Sequence, residues 1–270
     1  MPVPRVPTRS SPHVPLMRWY EEHGRHELPW RGTRDRWTVL VSEVMLQQTQ
    51  VARVLAVWPE FIGRFPTSHA MTDAGVASVI TAWGRLGYPR RARRLWESAV
   101  IISRDGWPAE LTQLPGVGRY TAAAIRAEAD LVDVPAIEVN IRRVVQRVRG
   151  EVLSERLAEA ASVQIGRGLH DRDRLLALMD LGASICTPRD PSCSACPLRR
   201  RCRTRGPLVN EARARQPKFE GSFRQRRGAV MARLRAESGV AISELDAEAL
   251  QSLVADGLAV FTPDQRARLP

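Results

Sequence analysis

The sequence predicts an all-α protein with a small C-terminal module. Apolar residues recur mainly at helical spacing, strand signals are scarce, and the helical texture runs unbroken to a cysteine-rich loop near residue 200. At 270 residues and 44% hydrophobic, the chain can bury one large core or two modest ones. No apolar run approaches the ~20 residues that a spanning helix needs. The opening "MPVPRVPTRSSPHVP" has no apolar h-region, so residues 1–15 read as a disordered leader on a cytoplasmic protein.

The first strong pattern runs from Trp37 to Trp58, where Val41, Val44, Val51, Val54, Leu55 and Trp58 build one stripe of a single expected helix. Gln48 falls on that stripe, which suggests a face looking into a cleft. Further helices are expected around Asp73–Trp83, Ala92–Asp105, Tyr120–Asp130, Ile141–Val148, Leu157–Leu169 and Arg174–Ser184. No internal repeat is present. After Cys202 the texture becomes Arg-, Gly- and Pro-punctuated, with a linker at 206–222. Residues 223–270 open with a helix at Phe223–Leu234. The helix, turn, helix and extended tail there fit either a winged-helix-like module or a helical appendage packed on the body.

Net charge is +12 and the sequence pI is near 11.0, which favours a polyanionic partner. All but one of the 41 basic residues are arginine, a bias that high-GC coding also produces. Charge alone therefore points to nucleic acid without establishing it. The one lysine, Lys218, sits in the polar stretch "ARARQPKFEGSF". Schiff-base chemistry needs an amine in the active site, so lysine-based lyase activity is not expected.

Cys186, Cys193, Cys196 and Cys202 are the only cysteines and form C-x6-C-x2-C-x5-C. Four thiols in so short a loop suit a metal site better than two disulfides. The spacing permits four-thiolate zinc or a cubane iron–sulfur cluster.

Three further stretches carry chemistry. In "LPGVGRYTAAAI", Gly116 and Gly118 flank Val117 in a tight turn before a helix. Its backbone N–H groups can hold a phosphate, as in a helix-hairpin-helix at 114–125. In "LVSEVMLQQTQV", Glu43 lies among apolar and amide side chains, where desolvation suits a proton donor and the glutamines suit a flipped base. In "VPAIEVNIRRVVQRV", Ile141, Val144, Val145 and Val148 mark one buried helix face. Glu138 stands just before it, where the positive helix end favours an anion.

Together "SEVMLQQTQV", "WGRLGYPRRARRL", "LPGVGRYTAAAI" and "LMDLGASICTPRDPSCSACPL" occur in the order found in adenine DNA glycosylases of the MutY type. The chain resembles this branch of the helix-hairpin-helix superfamily over roughly residues 15–205. The resemblance implies a two-lobed fold. A six-helix barrel lobe spans 36–140, and an iron–sulfur lobe combines 16–35, with its N-terminal helix, and 141–205. It implies a [4Fe-4S] cluster on the four cysteines and a monomer acting on double-stranded DNA with A:8-oxoguanine or A:G mismatches, with no membrane role.

By the same resemblance Glu43 protonates the departing adenine, while Gln48 and Tyr88 wedge into the duplex. Trp30, Arg31 and Leu46 lie near the base pocket. Tyr120 stands where bifunctional relatives carry their lysine, Asn140 is an active-site amide, and Asp180 is an acid facing the pocket. A carboxylate at the Glu138 position then stabilises or traps the oxocarbenium-like cation before water attacks, the division of labour of glycoside hydrolysis.

The chain departs from the family pattern in three places. Glu138 replaces an aspartate and is followed by Val139, where relatives have a small or hydroxylated residue. The extra methylene adds on the order of 1.5 Å of reach. Leu176 replaces a glutamine that reads the adenine edge in many relatives. The tail is shorter than the usual 8-oxoguanine-recognition module and looks unrelated to it. Two other readings stay open: a thymine or uracil glycosylase acting on mismatches with G, and a lesion-binding homologue whose catalysis is weakened at Glu138.

Overall fold

A computed structural model describes residues 14–169, 171–211 and 218–270. Most of the expected leader and the centre of the expected linker lie outside these residues. Twelve α-helices occur among those described: α1 (Val14–His23), α2 (Arg36–Leu46), α3 (Val51–Leu55), α4 (Trp58–Arg64), α5 (Ser68–Trp83), α6 (Arg90–Asp105), α7 (Arg119–Glu128), α8 (Val139–Arg149), α9 (Glu155–Ile165), α10 (Asp171–Ser184), α11 (Phe223–Ala236) and α12 (Ala247–Ala255). Three short strands, β1 (Val240–Ala241), β2 (Val260–Phe261) and β3 (Arg266–Arg268), are confined to the C-terminal module. No helix among the described residues is long and apolar enough to cross a membrane.

The expected helix from Trp37 to Trp58 is corrected to three. It stops after Leu46, Gln48 adopts a left-handed φ of 53°, and the chain resumes as α3 and α4. At this stop the Arg91 guanidinium donates to the carbonyls of Val44 and Met45 in the last turn of α2. Gly75 likewise interrupts α5, at φ 77°.

The chain divides into two compact units, one built from residues 1–39 and 119–213 and the other from 40–118 and 214–270. The second seam falls between Gly118 and Arg119, earlier in the chain than the 140/141 boundary read from the sequence. In the first unit α8 packs on α9 and α10, and α10 also packs on α1 and α7. Its core includes the whole expected α8 face of Ile141, Val144, Val145 and Val148. In the second unit the main contact is α5 on α6, with Phe61, Phe65, Ile80, Trp83 and Leu95 buried.

The C-terminal module runs helix, strand, helix, strand, strand, with an antiparallel sheet in the order β1-β3-β2. That order is compatible with the winged-helix reading of the tail, while the contacts of the module with α6 are what the appendage reading expects. The exposed face of α12 carries Ala247, Glu248 and Gln251 and no arginine. On the basic α11, Arg226 is bonded to Asp246 and Glu248 and Arg227 to Asp256, within the module. Asp256 also receives Arg90 at 2.5 Å and its carbonyl accepts from Arg93, so the module docks on the start of α6.

Candidate active site, DNA-contacting turns and cysteine loop

Glu43 lies in the middle of α2 and is 7% exposed, among Leu40, Val41, Val44 and Met45, which are all buried. It is therefore not a solvent-facing acid of an amphipathic helix, as the apolar and amide-rich sequence around it implies.

Gln48 and Tyr88, the two expected wedge residues, share an unusual backbone. Both are exposed and both hold a left-handed φ, 53° and 49°. Nearby, the GVG turn follows a single 3-10 turn at Leu111–Gln113. Val117 is buried, its N–H donates to Leu114 at 3.1 Å, and Gly118 is exposed. Gly116 has φ 81°, a backbone that favours glycine, and a Cβ there would sit a tight 3.2 Å from the Cβ of Arg94. Gln47 Nε2 donates to the Gly116 carbonyl at 3.4 Å, tying the turn to the chain just after α2. The turn leads directly into α7, whose first residues are Arg119 and Tyr120. Tyr120 is half-buried against the core of the first unit.

In the first unit Glu138 is the N-cap of α8. Its Oε1 accepts from the Ile141 backbone N–H at 2.8 Å, and its Oε2 accepts from Asn140 Nδ2 at 3.0 Å. Asn140 Oδ1 in turn accepts from Arg143, which also donates to the carbonyls of Gly182 and Cys186. The sequence expected the helix end to favour the ionised acid. Desolvation outweighs it: burial raises the Glu138 pKa above the ordinary value, against the lowering effect of the Asn140 and Ile141 amides, the Arg143 charge and the Asn140 side chain.

Trp30, Arg31 and Leu176 are buried, and Arg31 and Leu176 line one cavity with Tyr20, His26, Arg172 and Asp173. Leu46, at the end of α2, is half-buried in the other unit. Asp180 differs from its expected role. It is 1% exposed and fully engaged, accepting from Arg31 at 2.6 and 2.8 Å and from the backbone and side chain of Arg25 at 2.9 and 2.7 Å. Burial alone would raise its pKa, but the Arg31 hydrogen bonds and charge, with those of Arg25, hold it below the ordinary range. Asp180 is thus an internal clamp rather than an acid facing an open pocket. Sequence reasoning missed Tyr20 and Arg172 as cavity walls. Burial pushes the Tyr20 hydroxyl up to about 12, and only its place in "MRWYEEHG", ahead of the Trp30–Arg31 pair, could have hinted at it.

All four cysteines are free thiols and line one cavity with Val144, Arg147, Leu181 and Leu198. Arg147 from α8 organises the loop, donating to the Cys186 Sγ at 3.5 Å and to the carbonyls of Thr187 and Pro188. Its own carbonyl accepts from Cys202 and Thr204. Among the described residues no group of three or more His, Cys, Asp or Glu side chains is gathered tightly enough to hold a single metal ion. The donor set nonetheless fits an iron–sulfur group, since four soft thiols share an apolar cavity with an arginine at one sulfur. Lys218 is exposed and pairs with Glu220 at 3.3 Å.

Residues 41–162 match the HhH-GPD superfamily of base excision DNA repair proteins. The chain is 42% identical to an adenine DNA glycosylase of Mycobacterium tuberculosis (strain CDC 1551 / Oshkosh), covering 94% of this chain and 92% of that protein. The chain belongs to the adenine DNA glycosylases of the HhH-GPD superfamily. Mycolicibacterium smegmatis has a further adenine DNA glycosylase, 40% identical with 94% of each chain covered. Coverage this high takes in most of the tail, so the short C-terminal module is shared with these relatives. Among solved structures, a thermostable thymine-DNA glycosylase matches with a TM-score of 0.64 and 27% identity, over 71% of this chain and 94% of that one. An endonuclease III–DNA complex, at 22% identity and a TM-score of 0.61, shows the same fold. This glycosylase therefore acts on DNA in base excision repair, hydrolysing N-glycosyl bonds.

Proposed function

We propose that the glycosylase excises adenine paired with 8-oxoguanine or guanine, without lyase activity. The observation that carries the chemistry is the Glu138 carboxylate, fixed at the start of α8 by Ile141 and Asn140. The choice of adenine is supported by near-full-length likeness to proteins bearing that name. Extruding the base costs a few kcal/mol, offset by backbone contacts at the GVG turn and by insertion of Gln48 and Tyr88. Glu43, protonated, gives its proton to the base as the C1′–N bond breaks. Glu138, ionised, stabilises the cation left on the sugar, and water adds its oxygen to C1′ as its proton passes to the Glu43 carboxylate, restoring the acid. Asn140 keeps the Glu138 carboxylate in place. Arg31, Trp30 and Leu176 shape the base pocket, with Asp180 holding Arg31.

We assign a [4Fe-4S] cluster to Cys186, Cys193, Cys196 and Cys202. When bound it ties the loop to α8 and takes no part in bond breaking. With Lys218 paired in the tail, no lysine is available for a Schiff base.

Removal of thymine or uracil opposite guanine is the second reading, favoured by Leu176 in place of an amide and by the thymine-DNA glycosylase likeness. Labelled duplexes carrying A:8-oxoguanine, A:G, T:G or U:G, incubated with protein and cleaved with alkali, separate the two. Breaks confined to the adenine duplexes are expected, and breaks at T or U support the second reading. Glu43→Gln should bind the A:8-oxoguanine duplex without cutting it. Tight binding by the parent with no break at all would leave a lesion-binding protein.

A further inference from the structure

We propose that Arg91 is a positioning residue for base extrusion, its guanidinium tying the turns of Gln48 and Tyr88 to the end of the helix that carries Glu43. The inference rests on Gln48 and Tyr88 acting as wedges, as proposed above. Arg91 is the second residue of α6 and is 8% exposed. Nη1 donates to the Val44 and Met45 carbonyls at 2.8 and 3.0 Å, one and two residues beyond Glu43. Nη2 donates to Thr49 Oγ1 at 2.8 Å, next to Gln48, and to the Gly87 carbonyl at 3.1 Å, next to Tyr88. The cation also lies 5.1 Å from the Trp83 ring centre and 5.5 Å from that of Tyr88.

Every hydrogen-bond acceptor in this set is a carbonyl or a hydroxyl, and none is a carboxylate. A buried cation without an opposite charge is costly, and here burial lowers its pKa to about 10, which still leaves it protonated at neutral pH. The same guanidinium touches both sides of an unusual feature. Gln48 and Tyr88 are non-glycine residues in left-handed backbone, a conformation that persists only where the surroundings over-determine it. Their side chains are exposed, so burying those side chains does not explain the strain. Arg91 supplies the constraint: one planar fork fixes the residue after Gln48 and the residue before Tyr88 in a single frame. That frame is shared with α2, so the wedges and the acid keep one spacing.

A residue that only held the fold together would lower excision from every substrate alike. A positioning residue affects substrates in proportion to the extrusion they require. Two substrates separate the cases: adenine in an A:G mismatch, and adenine opposite an abasic site, where little pairing must be broken. Arg91→Lys keeps the charge and loses the fork, and Thr49→Val removes one acceptor at a half-buried position. Each should slow single-turnover excision ~10-fold on A:G and only ~2-fold on the unpaired adenine, with Thr49→Ser restoring the A:G rate. Gln48→Ala and Tyr88→Ala serve as references and should show the same selectivity.

Equal losses on both substrates, or no loss on either, for Arg91→Lys and Thr49→Val would overturn the proposal. If the references are selective and these two variants are not, the Arg91 inference alone fails. If the references are not selective either, the wedge assignment beneath it fails with it. Should Arg91→Lys prove unfolded by circular dichroism, the Thr49→Val and Thr49→Ser pair decides.

Discussion

Asn140 holds Glu138 by donating from Nδ2 to Oε2 at 3.0 Å, and is itself held by Arg143 at 2.6 Å. Because Arg143 also bonds the Cys186 carbonyl, a continuous hydrogen-bonded path runs from the capping carboxylate to the cysteine loop.

Aspartate is a favoured N-cap residue and reaches the same Ile141 amide with one methylene less. Glu138→Asp is therefore expected to melt at the same temperature or higher and to excise adenine at an equal or faster rate. Thermal unfolding and single-turnover assays check this. A ~100-fold loss in a folded variant would mean that the site has been rebuilt around the longer acid.

The raised pKa of Glu138 sets a pH dependence. A carboxyl held more protonated in the folded state than in the unfolded one favours folding below its ordinary value of 4.5. That advantage disappears as pH rises through the folded value. Activity runs the other way, since the anion is the working form: single-turnover rate should climb with pH above 4.5 and level off once Glu138 is ionised. Glu138→Gln should be slow and lack this limb. A parent profile already level at the ordinary glutamate value would show that burial does not govern the group.

Asp180→Asn leaves Arg31, a buried guanidinium, without the one carboxylate that hydrogen-bonds it. The expected cost is ~3–5 kcal/mol of stability, read by urea unfolding. A variant as stable as the parent but altered in base preference would return Asp180 to the pocket.

Purified protein should be brown, with broad visible absorbance and iron bound by the cysteine loop. Cys196→Ser should lose both colour and iron and melt at a lower temperature. Colourless protein carrying zinc would replace the cluster with a four-thiolate zinc site.

Helix positions were legible where one apolar stripe is buried, as in α6, α8 and α9; the α8 face of Ile141, Val144, Val145 and Val148 is found whole. The break after Leu46 was not: periodicity cannot show that Arg91, 45 positions downstream, will bond the carbonyls of Val44 and Met45. The burial of Glu43 and the gathering of the four cysteines at one cavity were legible from the chemical company they keep in the chain. The engagement of Asp180 was not, since Arg31 and Arg25 lie some 150 residues away. The Glu138 pKa also escaped, because a helix end is visible in sequence and desolvation is not.

The exposed Lys218 has a practical consequence for anyone who wishes to observe this glycosylase at work. Apart from the chain's amino terminus it is the one primary amine in 270 residues. An amine-reactive dye applied above pH 8, where the terminal amine can be blocked beforehand, should therefore give a uniformly labelled product. That product would carry its reporter in the linker and leave every arginine chemically untouched.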